Sequence, residues 1–243
     1  MAAFRFINLV MIIAALAVSA GAAYVFFGRT EIDEAENRLH AYKQRIQAQL
    51  PLAEAGDAKA QYVLGRLLLF GEGRTQNLHQ AYKWFSAAAA RGHSGAQYEL
   101  GKMYARGEGI GQSYYRAVEW FGLAARVGHH RSAQFALGEM YYLGRGVDRD
   151  YVDALNWFQK AAQRNHPIAQ FYLGEMYEKG WGVKRDKIEA FKWYSLAARK
   201  AREVKDNNEN HDPLRSLNNL KHQMNKSQLN AGEAGLKAWK PAQ

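Results

Sequence analysis

The chain of 243 residues is 48% apolar and 23% charged, and these proportions exclude wholesale disorder. It contains no cysteine, which excludes disulfides, zinc-thiolate sites, cysteine nucleophiles and a lipoprotein anchor. The formal net charge of +10 is spread thinly and carries no nucleic-acid-binding signature, so nucleic acid is not an expected partner.

The amino terminus is predicted to hold one transmembrane helix within residues 1–28. Residues 6–27 contain no charged side chain and are long enough to cross the hydrocarbon core of a bilayer. A cleaved signal peptide is the alternative, with small residues at Ala20-Gly21-Ala22 as its cleavage site. The apolar run continues past that site, which favours an uncleaved anchor.

The charges flanking this segment predict its orientation. Arg5 precedes it, whereas Arg29 is followed by several acidic residues. The positive-inside rule then keeps the amino terminus cytoplasmic and exports the remainder, into the periplasm if the membrane is a Gram-negative inner membrane. Residues 29–50 follow as a juxtamembrane helix, since they are rich in helix formers and Leu39, Tyr42 and Ile46 fall close to one face.

One unit is repeated four times over residues 51–201, in copies of about 57–92, 93–128, 129–165 and 166–201. Each copy contains an Ala-Gln pair, a Leu-Gly pair, a Gly-X-Gly turn and an aromatic pair, and every series advances in steps of 36, 37 and 36 residues. The aromatic pairs are Trp84-Phe85, Trp120-Phe121, Trp157-Phe158 and Trp193-Tyr194. Repetition at such a period is typical of solenoids.

Each copy is predicted to form two helices, A and B. Apolar residues recur at helical spacing in both halves. The glycine of each Leu-Gly pair would allow a close approach by a neighbouring helix, and the first glycine of each turn would end helix A. Helix B would begin at an N-cap residue, which is Asn77, Ser113, Asp150 or Asp186.

No single pair of helices can bury its tryptophan, so we interpret the tryptophans as core. The sequence therefore predicts an all-α, right-handed α-solenoid of four helix pairs. Residues 202–243 are predicted to form a polar loop at 205–212 and capping helices over 213–239. Pro213 would start the first of these helices, and Asn225 and Gln228 would form a capping box in the second.

The repeated pattern Ala-Gln-aromatic-X-Leu-Gly-X-Met-Tyr-X-X-Gly-X-Gly-Val, followed by Ala-X-X-Trp-Phe-X-X-Ala-Ala, resembles the Sel1-like repeat, a relative of the tetratricopeptide repeat. Copies three and four match it most fully, through Val147 and Val183, whereas copy one has Leu67-Leu68 in place of Met-Tyr. The resemblance is to bacterial members that are exported or membrane-anchored. It implies a scaffold for protein–protein interactions.

The polar residues do not converge on a reactive centre. His93, His130 (or His129) and His166 recur once per repeat, too far apart to share a metal ion, so we interpret them as helix caps. Asp57 takes the same position in copy one. We therefore predict no enzymatic activity, no catalytic or metal residues, no cofactor and no small-molecule substrate.

A partner-binding surface is expected where the copies differ. In the tetratricopeptide architecture the A helices line a concave groove, and the resemblance places variable positions of this chain there. Phe70 and Tyr172 would be exposed aromatic anchors. These positions could also be no more than tolerant surface. The groove candidates are Arg66, Phe70, Glu99, Lys102, Arg106, Glu139, Tyr172, Glu175 and Lys179.

Three functions remain open. The first is a membrane-anchored, non-enzymatic scaffold that binds a protein through the solenoid surface. The second is an accessory structural subunit, held in a membrane protein complex by its transmembrane helix. The third is an enzyme acting on cell-wall material. It follows from penicillin-binding activity in cysteine-rich relatives, whose cysteines this chain lacks.

Overall fold

The computed structural model describes residues 34–71 and 76–242. Within these ranges the chain is helical throughout, with connecting turns and no strand. The helices are α1 (34–54), α2 (Ala58–Phe70), α3 (Leu78–Ala90), α4 (Ser94–Arg106), α5 (Tyr114–Arg126), α6 (Arg131–Leu143), α7 (Tyr151–Gln163), α8 (Pro167–Lys179), α9 (Lys187–Ala198), α10 (Ala201–Asn207), α11 (Pro213–Lys221) and α12 (Lys226–Ala238).

The helices pack in chain order. Each repeat pairs its two helices, as α2 with α3 and α4 with α5, and the second helix of one repeat packs on the first helix of the next, as α3 on α4. The predicted all-helical solenoid is therefore confirmed. No helix among the described residues is both long and apolar enough to span a membrane. The predicted span at 6–27 lies outside those residues.

A glycine on each A helix allows the paired B helix to approach closely. A β-carbon on Gly65 would lie 2.6 Å from Cδ1 of Phe85, and one on Gly101 would lie 2.5 Å from Cδ1 of Phe121. Both rings are almost completely buried. Because any side chain at these glycines would push the ring away, the predicted close approach is confirmed and explains why Leu-Gly recurs.

The predicted helix ends are also confirmed. Gly107 ends α4 in the left-handed region, with φ of 71°, and its N–H donates to the carbonyl of Met103. At the B helices, Oδ1 of Asn77 accepts from the N–H of Gln80 at 3.0 Å. Ser113, Asp150 and Asp186 cap their helices in the same way.

The tryptophans differ from the prediction. Trp157 and Trp193 are buried, at 9% and 5% exposure, but Trp84 and Trp120 are only partly buried. The ring buried most completely in every copy is the following aromatic residue, such as Phe85. Trp84 packs against the cluster formed by α1 and α2, where no earlier repeat covers it.

The two ends of the solenoid extend further into helix than expected. Helix α1 continues through Pro51 to residue 54 and buries Tyr42. The loop predicted at 205–212 is wrong over its first three residues, because α10 runs to Asn207 and buries Val204 completely. Helix α11 begins at Pro213 as predicted, and both α11 and α12 pack on α9. The Asn225–Gln228 capping box is confirmed.

Candidate partner-binding groove

The candidate groove residues lie on the four A helices, α2, α4, α6 and α8, at equivalent positions. We call the surface that these helices form with the adjoining turns the A-helix face. Its character changes along the solenoid, because position 66 and its equivalents are Arg66, Lys102, Glu139 and Glu175. The first two repeats therefore present cations where the last two present carboxylates.

The first repeat presents an exposed arginine beside an exposed aromatic ring. The guanidinium carbon of Arg66 lies 5.4 Å from the ring centroid of Phe70 and 5.9 Å from that of Tyr62. Phe70 is 52% exposed, as predicted for an anchor. Arg66 and Phe70 line a depression that also includes Val63.

The second repeat carries two cations in different environments. Nζ of Lys102 lies 2.7 Å from Oε2 of Glu99, and Nη1 of Arg106 lies 3.3 Å from Oε1 of Glu108. Glu99 is only 7% exposed, so the expectation that it faces a partner is wrong. Glu99 lies below the surface, one turn along α4 from Lys102. Its carboxylate there positions the ammonium group of Lys102.

Two depressions join neighbouring repeats across the A-helix face. Phe70 of α2 lines one together with Lys102 and Arg106 of α4. The other, of about 480 Å³, lies between α4 and α6 and contains Lys102, Arg106 and Glu139. The structure thus brings together five of the nine candidates, Arg66, Phe70, Lys102, Arg106 and Glu139, on one surface that extends over three repeats.

Sequence reasoning missed Arg145, which lines the pocket between α4 and α6. Its guanidinium carbon lies 5.5 Å from the ring centroid of Tyr114. Arg145 is the middle residue of a Gly-X-Gly turn, a position that holds Glu108 in the second copy and Trp181 in the fourth. This variation inside an otherwise constant turn was the signal that could have identified it.

Glu139 and Glu175 are partly buried on the A-helix face. Burial raises the pKa of Glu139, and the nearby cations Arg145 and Arg106 oppose this shift. Burial also raises the pKa of Glu175 to about 7. Neither carboxylate forms an ion pair within the described ranges. Near neutral pH Glu175 is therefore only partly ionised, and the fourth repeat is less acidic than its sequence suggests.

The prediction that Tyr172 is an exposed anchor is wrong. Its side chain is 7% exposed. Its ring lies 5.0 Å from that of Phe158 and 5.2 Å from that of Tyr142, and His211 packs edge-on at 5.2 Å. The last of these contacts comes from the segment after α9, so the fourth repeat is partly covered by its own chain. Lys179, at the end of α8, is exposed.

The repeated histidines cap helices as predicted. Nδ1 of His93 accepts from the N–H of Ala96 at 3.2 Å, and His130 and His166 cap α6 and α8 at 3.3 Å. Burial lowers the pKa of all three and takes that of His166 to about 4, which keeps each ring neutral and able to accept. In the part of the chain that the structure describes, no three metal-ligating side chains cluster.

These features define a class of protein, the helical repeat solenoid in which the first helix of each repeat carries a variable surface. The chain belongs to the Sel1 repeat family, which matches residues 58–93, 94–129, 131–166 and 167–201. Sel1 repeat proteins are generally non-enzymatic scaffolds for protein interactions. No curated protein matches the chain significantly.

Two solved structures are similar to this chain. A Sel1 repeat protein from Oxalobacter formigenes is 31% identical over 69% of this chain and 70% of its own, with a TM-score of 0.60. A protective antigen present in uropathogenic Escherichia coli strains, which displays an SLR fold, is 40% identical over 64% of this chain, with a TM-score of 0.62. The match spans only 33% of that antigen.

Proposed function

We propose that this protein is a membrane-anchored scaffold that binds a partner protein through the A-helix face of repeats one to three. Residues 6–27 would hold it in the membrane, and the solenoid would lie on the exported side. In this proposal the protein carries out no chemistry itself. It presents an exposed ring and several cations to another protein.

The observation that carries the proposal is the continuity of the surface across repeats. One depression joins Phe70 to Lys102 and Arg106, and a second joins these cations to Glu139 and Arg145. A single partner segment lying across the A helices would therefore meet an aromatic anchor and then a group of cations. Exposed rings and arginines contribute strongly to binding at protein interfaces.

Charge reversal tests this proposal. The triple variant Arg66→Glu, Lys102→Glu, Arg106→Glu should weaken partner capture about tenfold or more, because it replaces attraction by repulsion. The matched control carries three reversals at exposed lysines away from the face, Lys226→Glu, Lys237→Glu and Lys240→Glu. Equal partner capture by the two triple variants would show that the A-helix face does not bind the partner.

The alternative, a structural subunit held by its transmembrane helix, is supported by the same apolar segment, 6–27. The two functions differ in what holds the partner. Removing residues 1–28 should leave a partner of the A-helix face bound, whereas a subunit held by its helix should separate from its complex. Mild detergent extraction of both forms, followed by mass spectrometry, distinguishes the two outcomes.

A further inference from the structure

Helix α5 presents an apolar ridge on the side of the solenoid formed by the B helices. Leu123 is 45% exposed, Val127 is 73% exposed and Trp120 is partly buried. Their spacing of three and four residues places the three side chains on one side of the helix. We call Trp120, Leu123 and Val127 the α5 ridge.

The same Trp-X-X-Leu sequence recurs on α9 as Trp193 and Leu196, which are the equivalents of Trp120 and Leu123. There the two side chains are only 5% and 3% exposed. Leu236 and Trp239, at the end of α12 and just beyond it, pack against the core cluster that contains both residues. On α9, the burial of this pair thus accompanies the packing of an aliphatic and an aromatic residue, three apart, against the same cluster.

The third copy protects its tryptophan by other means. Lys160 replaces the leucine, and its ammonium group lies 4.0 Å from the ring centroid of Trp157. Arg126 of α5 contributes a second cation at 5.8 Å. No cation covers the ring of Trp120 within residues 34–71 and 76–242. The α5 ridge has neither kind of protection there.

The segment that packs against the α9 cluster also contacts the neighbouring B helix, α7. Beyond Trp239, the N–H of Ala242 donates to the carbonyl of Gln163 at 2.7 Å, at the end of α7. Helix α5 is the next B helix in the stack, since Arg126 reaches over Trp157 of α7. The carboxyl-terminal segment therefore contacts the B helix next to α5.

The charged residues on the B helices indicate which charges a segment bound to the ridge would carry on either side of its apolar residues. Lys83 on α3 and Arg126 on α5 are exposed on the B helices, as is the carboxylate of Glu119 on α5. An apolar depression lies around Trp84 and Ala87 on α3, another B helix. A segment with acidic flanks would be attracted to these cations, whereas a basic one would be repelled.

We infer that the α5 ridge is a docking surface for a segment of a second protein with an aliphatic and an aromatic residue three apart and acidic flanks. The segment lies on Trp120, Leu123 and Val127 as residues 236–239 lie on α9. The surface is distinct from the A-helix face, so this inference does not depend on the proposed function above.

The test uses the full chain and a fluorescent peptide with the sequence of residues 225–243, in which Lys237 and Lys240 are replaced by Glu. The peptide should bind, and Leu123→Glu with Val127→Glu should weaken binding at least about tenfold. The matched control is Val152→Glu, at an exposed valine on α7 away from the ridge. A peptide that also carries Trp239→Ala should lose binding to every form.

Three results would overturn the inference. Equal binding to the wild type and the ridge variant would place the peptide elsewhere, for example in exchange with the chain's own segment on α9. If the peptide that keeps Lys237 and Lys240 bound as tightly as the glutamate-substituted peptide, acidic flanks would not contribute to binding. Self-association that the ridge substitutions abolish would make the occupant a second copy of this chain. Leu123→Ser, measured alongside the glutamate variant, serves to distinguish lost binding from a folding defect.

Discussion

The imidazole of His211 packs against the ring of Phe171, with ring centroids 4.8 Å apart. The same contact joins the preceding repeats, where the cap histidines of α4, α6 and α8 each stack on an aromatic residue of the A helix of the repeat before, as in Phe135–His166 at 4.6 Å. His211 therefore makes the contact that would begin a fifth repeat. Helix α11 follows at once, but its cap is Asp212. The segment after α9 thus ends the stack with the same kind of histidine–aromatic contact that joins one repeat to the next.

The cap histidines make stability depend on pH. Burial lowers the pKa of His166 to about 4, below its ordinary value of 6.5. Its contribution is therefore fully present above pH 6.5 and is lost as pH falls towards 4, because the unfolded chain then binds the proton more readily. The loss between pH 7 and pH 5 should be about 2 kcal/mol.

His166→Asn keeps an N-cap but removes the titration. Compared with the wild type in urea unfolding, its free energy of unfolding should change less between pH 7 and pH 5. Taking the difference between the two proteins cancels the opposite contribution of Glu175. A wild type and variant with parallel pH profiles would contradict the assignment.

Gly101→Ala should destabilise the solenoid by about 1–3 kcal/mol, because its β-carbon would lie 2.5 Å from the buried ring of Phe121. The matched control is Gly122→Ala on α5, where the nearest atom is the end of the Arg126 side chain at 3.4 Å. That substitution should be neutral or stabilising by up to about 1 kcal/mol. Urea unfolding of both variants measures the contrast, and equal destabilisation would show that ring contact is not the cause.

Glu175→Gln should stabilise the protein at pH 8 by about 3 kcal/mol, since burial raises the pKa of this carboxyl from 4.5 to about 7. In the wild type the penalty appears as pH rises from 4.5 through 7, where the folded state must ionise a buried group. The gain from glutamine should therefore shrink at pH 5. Glu119→Gln, at an exposed position on α5, is the control. A gain that is the same at both pH values would refute the burial argument.

The two aromatic candidates should separate stability from binding. Tyr172→Ala should destabilise the protein by about 3–5 kcal/mol, because its ring is packed between Phe158 and Tyr142. Phe70→Ala should change stability by less than about 1 kcal/mol, since its ring is half exposed, but should weaken partner capture. Thermal unfolding and capture, measured on both variants, check the pair. Similar stability losses would count against the assignment.

The solenoid could be predicted because the same sequence features recur independently in each repeat. Four glycines, four caps and four aromatic pairs all agree, so a single departure does not mislead. The groove was harder to predict, because exposure depends on what lies above a residue. Tyr172 occupies a variable position, yet His211, from the segment after α9, covers it. Glu99 turned out to be buried beside Lys102, a contact that the repeat pattern does not encode.

The ends of the stack were the least predictable part. The insertion between α9 and α11 occurs once, so no other copy shows that α10 would form or that Val204 would be buried. Arg145 was missed for a different reason, because it lies in the turn between helices rather than on a helix face. Both cases concern chain segments whose neighbours are set by tertiary packing rather than by periodicity.

Partner binding at the A-helix face can be tested by photo-crosslinking in cells, with a photoreactive phenylalanine analogue at position 70 of the full chain. We expect a discrete crosslinked protein from this position, with a yield that the Lys102→Glu and Arg106→Glu substitutions reduce. The same analogue at exposed position 152 on α7 should not give that product. A product of equal yield from position 152, or none from position 70, would contradict partner binding at the A-helix face.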